Sequence, residues 1–102
     1  MSPIRFQGDP DIALGLVSQQ LSKMPRVRIV SRTDRYLHAT FTSRLFRFVD
    51  DVEFRVDESQ GLLHFRSASR MGYSDLGVNR KRMQEFVMRL TEQEKFSIAD
   101  GT

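Results

Sequence analysis

Residues 64–82, HFRSASRMGYSDLGVNRKR, hold the densest chemistry in the chain: six basic side chains, counting His64, and three serines around a glycine-marked turn. Arg66 and Arg70 belong to the run before the turn, with Ser67 and Ser69 beside them. Arg80 and Arg82 follow it, in the helix that comes next. A guanidinium presents a planar donor fork that suits carboxylate and phosphate. The free N–H groups at a helix start also favour negative charge, and YSDLGVN puts Tyr73, Ser74, Asp75 and Asn79 at such a start. The stretch therefore reads as a receptor for a carboxylate, a phosphate or an acidic partner segment. Upstream, Arg44, Asp50 and Asp51 complete the candidate set, because the two aspartates can pair with Arg44, Arg70 or Arg80. A cluster of both signs satisfies itself before it binds anything, so an internal network is the first expectation and anion binding the functional one.

Catalysis is the weaker reading. Asp50 and Asp51 are adjacent, and neighbours on an extended strand point to opposite faces, which makes them a poor acid and base pair for one substrate. His38 or His64 offers a base and Ser43 or Ser67 a nucleophile, yet no nucleophile elbow, triad spacing or glycine-rich phosphate loop accompanies them. The chain has no cysteine and only two histidines, so neither a disulfide framework nor a familiar zinc set is available. No catalytic residue, metal or cofactor is expected.

The elements that must position these side chains follow from periodicity. PIRFQ is short and extended. Asp9 then reads as an N-cap with Pro10 in the first helical position, and Ile12, Leu16, Val17, Leu21 and Met24 recur at helical spacing up to Pro25. From Val27 the period changes to two. Val27 and Ile29, then Leu37, Ala39 and Phe41, then Val52, Phe54 and Val56, then Leu63 and Phe65 take one side of successive strands. TDR and ESQG are the turns between them, and SRLFRFVDD reads as a bend or irregular connection. Helical spacing resumes with Val78, Met83, Phe86, Val87 and Leu90 to about residue 93.

The expected order is β-α-β-β-β-β-α: an α+β domain over 1–95 with both helices on one face of a single antiparallel sheet of four to five strands, and 96–102 a frayed tail. This arrangement is similar to the TATA-binding-protein-like fold, a likeness of architecture that carries no function. The opposite face is left polar, with Arg28, Tyr36, His38, Thr40, Glu53, Arg55, His64 and Arg66.

A chain of 102 residues is one domain on the usual size scale. Its net charge is +3, and 13 of its 16 basic residues are Arg. Most arginines on a small domain are solvated or paired, so this charge is weak support for nucleic acid. No apolar run approaches the ~18 residues of a membrane span, and MSPIRFQGDP lacks the pattern of a signal peptide. The expectation is a soluble, cytoplasmic chain.

TSRLFRFVDDVEF (42–54) and FRSASRMGYSDLGVNRKRM (65–83) resemble the signature of the bacterial and plastid family called domain of unknown function 1499, DUF1499, in which a run of the type SRLFRFVDDVE precedes RSASRxGYSDxGxNRxR. The two motifs occur in the family's order and spacing, and the resemblance covers about residues 9 to 92. It implies no assigned activity. It also implies an upstream cysteine-containing stretch, often after a signal or membrane segment. These 102 residues hold neither, which reads as a short cytoplasmic form or a trimmed one.

Three functional classes follow. The leading one is a non-enzymatic binding or assembly module, monomeric or homodimeric, whose Arg and Ser cluster contacts an acidic protein segment or a small anion. The others are an enzyme acting on an anionic substrate, and nucleic-acid binding across the polar sheet face. A continuous positive stripe on the sheet would favour nucleic acid, and basic convergence near the last helix would favour an anion.

Overall fold

A computed structural model of the protein describes residues 3–44, 47–70 and 78–98, and side chains in the last segment from Arg80 onward. The fold is α+β, with one antiparallel sheet and two helices. Strand β1 (Ile4–Phe6) leads into α1 (Pro10–Ser22), which starts where Asp9 accepts the Asp11 N–H at 2.8 Å. This cap satisfies one orphan donor, and Pro10 occupies a position that needs none. The buried stripe of α1 is Ala13, Leu14, Val17 and Leu21 together with Gln20, whereas Ile12, expected inward, is 50% exposed.

Strands β2 (Val27–Arg32), β3 (Tyr36–Thr42), β4 (Val49–Asp57) and β5 (Leu62–Ser69) form an antiparallel meander. After α2 (Val78–Thr91) the chain adds β6 (Phe96–Ile98), and the sheet order is β2-β3-β4-β5-β1-β6. Six strands thus stand where four or five were expected. Residues 96–98, assigned from sequence to a tail, pair with β1 through Ile4↔Ile98 and Phe6↔Phe96. Burial of the Phe96 ring explains the sixth strand: docking it beside Phe6 removes apolar surface from water that a frayed end would leave exposed.

Alternation along the strands divides the two faces. Leu37, Ala39, Phe41, Val52, Phe54, Val56 and Leu63 are buried under the helices, where Phe86 of α2 lies 5.4 Å, ring to ring, from Phe54. Among the described residues no helix is long and apolar enough to cross a membrane.

The connection from β3 to β4 is tied at its base, with Ser43 N donating to Phe48 O and Phe48 N to Ser43 Oγ, both at 2.8 Å. Val49, Asp50 and Asp51 consequently enter β4 as regular strand residues, and the irregular segment is shorter than the expected SRLFRFVDD. At the β4–β5 hairpin Asp57 Oδ1 accepts from Ser59 Oγ at 2.7 Å, and Gly61 takes the positive φ of 66° that closes the turn.

Candidate functional site

The strand register sorts the expected site residues onto two sides of the sheet. On the open face the rows across β3, β4 and β5 are Thr40–Asp51–Ala68, His38–Glu53–Arg66 and Tyr36–Arg55–His64. Acidic Asp51 and Glu53 stand in the first two rows and basic Arg66 and Arg55 in the last two, so the face carries both signs. The Tyr36 phenol is raised above its ordinary pKa, by burial first and by Glu53 second.

Asp51 is the hub of that face. Arg70, just past β5, donates from Nε to Oδ2 at 2.8 Å and from Nη2 to Oδ1 at 3.0 Å, a two-pronged grip. His38 Nε2 lies 2.8 Å from the same Oδ1. An ionised carboxylate carries no hydrogen, so the histidine is the donor there. The Arg70 hydrogen bond, with that of His38 after it, outweighs desolvation and holds the Asp51 carboxyl at about 2, against an ordinary 3.8.

Asp50 points the other way, beneath the helices. It is 1% exposed, and its Oδ2 meets Arg82 Nη1 of α2 at 3.2 Å. The guanidinium of Arg82 lies 4.9 Å from the centroid of the Phe41 ring, so a charge pair and a cation–π contact fix the same side chain. Ser67 and Ser69 lie on β5 opposite Val52 and Asp50.

On the helix-bearing side a cleft of about 680 Å³ opens between the end of α1, the end of β3 and α2. Gln20 faces it from the last turn of α1, its C-cap Lys23 and then Met24 follow, and Pro25 and Arg26 continue the wall. Arg44 enters beside Thr42 and Ser43, and α2 supplies Lys81, Arg82, Glu85 and Arg89. Among the described residues Glu85 is the one carboxylate in this lining, against six basic side chains: Lys23, Arg26, Arg44, Lys81, Arg82 and Arg89. Arg89 pairs with Glu85 at 3.0 Å and Arg82 with Asp50, but Lys23, Arg26, Arg44 and Lys81 have no ion pair among the described residues.

Two local features run against ordinary preference here. The first turn of α2 holds no acidic residue but does hold Lys81, a cation at the helix end that favours anions. Arg26 has a φ of 58°, the left-handed region that costs a non-glycine residue about 1 kcal/mol or more. Its Nε donates to Thr42 O at 3.2 Å, and its own carbonyl accepts the Thr42 N–H at 3.0 Å.

The thirteen residues singled out in the sequence thus separate. Asp51, Arg66 and Arg70 lie on or beside the open face. Asp50 and Arg82 form the buried pair, and Arg44 and Arg82 line the cleft. Arg80 is exposed on α2 and makes no ion pair with a described residue. Tyr73, Ser74, Asp75 and the side chain of Asn79 lie outside the described residues. Gln20, Lys23, Arg26, Lys81 and Arg89 were not anticipated. The available signal was the KMPR run, in which two cations flank the end of an amphipathic helix with no acid nearby. Among the described residues no group of three His, Cys, Asp or Glu is placed to hold a metal ion.

A six-stranded antiparallel sheet with one polar face, and a basic cleft beside two helices packed on the other, defines a small α+β domain. The family model described as protein of unknown function, DUF1499, matches residues 1–90, and the chain belongs to that family. No curated protein and no solved structure matches it.

Proposed function

We propose that the domain is a non-enzymatic binding module whose basic cleft takes an anionic ligand. One observation carries the reading: Lys23, Arg26, Arg44 and Lys81 converge on one cleft with no carboxylate partner among the described residues. All four are exposed, so water offsets part of their mutual repulsion, and an anion held among them offsets more. The expected Arg and Ser cluster is thereby divided. Arg44 and Arg82 belong to the binding surface, whereas Arg70 and Asp51 form the internal network.

Nucleic-acid binding across the sheet has less support, because acidic Asp51 and Glu53 interrupt the face between Arg28, Arg55 and Arg66. Thermal denaturation with pyrophosphate, citrate, inorganic phosphate and a short oligonucleotide tests the reading, since a ligand bound by the folded state alone stabilises it by mass action. A rise in Tm with pyrophosphate or citrate that persists at ~150 mM salt is expected. A rise with the oligonucleotide alone would transfer the function to the sheet.

A further inference from the structure

Gln20 singles out the kind of anion. Its side chain is polar, yet it lies in the buried stripe of α1 at 8% exposure, and it lines the basic cleft without a hydrogen bond to its amide from any described residue. A carboxamide offers two donors and two acceptor sites, and those of Gln20 are not sealed off from the cleft, so water or a ligand there can meet them. Such a group, aimed into a cleft, reads a neutral polar partner rather than a charge. Lys23, the C-cap of α1, follows three residues on and lines the same cleft, so the neutral and charged recognition points are neighbours. Met24 and Pro25 add an apolar wall beside them.

The size and charge of the cleft narrow the class further. A volume of about 680 Å³ falls within the range of small-molecule sites, ~300–1,000 Å³, and is far more than one inorganic ion fills. Each phosphate monoester brings about −1.5 to −2 at neutral pH, so two such groups match the four cations that have no ion pair among the described residues. We propose that the ligand is a small organic molecule carrying two phosphate groups and a neutral hydrogen-bonding end. Its phosphates lie against Lys23, Arg26, Arg44 and Lys81, and its neutral end is held by Gln20. This rests on the reading of the cleft as an anion site.

The test is calorimetric titration of the intact chain with pyrophosphate and with three organic diphosphates or bisphosphates: ADP, a uridine diphosphate sugar and fructose 1,6-bisphosphate. Wild type is compared with Gln20→Met, with Gln20→Leu as the second apolar replacement should the first fold poorly. At least one organic ligand should bind tenfold or more tightly than pyrophosphate. The Gln20 variants should lose that advantage while keeping pyrophosphate affinity within about twofold, as expected when an amide that reads only the neutral end is removed. The inference is overturned if pyrophosphate binds as well as every organic ligand, or if the Gln20 variants leave the preference intact. Failure of pyrophosphate and all three organic ligands to bind wild type would instead overturn the anion-site reading, and the inference with it.

Discussion

Asp50 and Asp51, successive residues of β4, each hold an arginine from a different side of residues 71–77: Asp51 grips Arg70 before that segment, and Asp50 meets Arg82 after it. Strand alternation makes this possible, because neighbours point to opposite faces and one dipeptide reaches both. The pairing gives a structural reason for the DD of the VDDVE run. It also ties the end of β5 and the first turns of α2 to the same point of the sheet.

The buried half of this arrangement should dominate stability. Arg82→Met would leave Asp50, 1% exposed, without its arginine, and unfolding free energy should fall by about 3 kcal/mol. Pairing it with Asp50→Leu should recover most of that loss, because an apolar pair does not demand the same desolvation. Urea denaturation of the single and double variants measures both. A double variant less stable than Arg82→Met alone would contradict the assignment.

The open half should show itself through pH. Asp51 is held at about 2 when folded against 3.8 unpaired, so its ion pair stabilises the fold fully above about pH 4. That contribution fades as pH falls toward 2. With Arg70 half exposed and screened, its size is on the order of 1 kcal/mol. The stability difference between wild type and Asp51→Asn should therefore be largest near pH 5 and shrink on acidification. A difference independent of pH between 5 and 2 would show that the carboxylate charge is not what holds Arg70.

Arg26 lets strain and binding be separated. Replacing it with glycine relieves a φ of 58° while losing the Nε bond to Thr42 O, and these effects oppose each other. Stability should change by less than about 1 kcal/mol. Affinity for pyrophosphate should drop several-fold, because a cleft cation has gone. Unchanged affinity would remove Arg26 from the site.

The parts of the fold legible in sequence were those with strong local periods. YLHATFT and VEFRVD alternate cleanly, and Leu37, Ala39, Phe41, Val52, Phe54 and Val56 are all buried. The stripe of α1 was harder, because polar Gln20 occupies a buried position and apolar Ile12 an exposed one, which rotates the apparent face. Strand β6 is three residues long and depends on a distant partner at the other end of the chain, so no local pattern marks it. The cleft was half visible for the same reason. Arg44 and Arg82 stand in the conspicuous motifs, but Gln20, Lys23 and Arg26 come from α1 and its exit, and only the packing of α1 beside α2 brings them together.

The central claim is that Lys23, Arg26, Arg44 and Lys81 of the cleft bind an anion. Its most direct test is calorimetric titration of pyrophosphate into wild type and into the double variant Arg44→Ala/Lys81→Ala, which spares the Asp50–Arg82 and Asp51–Arg70 pairs. Saturable binding to wild type, weakened at least tenfold in a variant that keeps its Tm within a few degrees, is the predicted result. Equal binding by both proteins, or none by wild type, would contradict it.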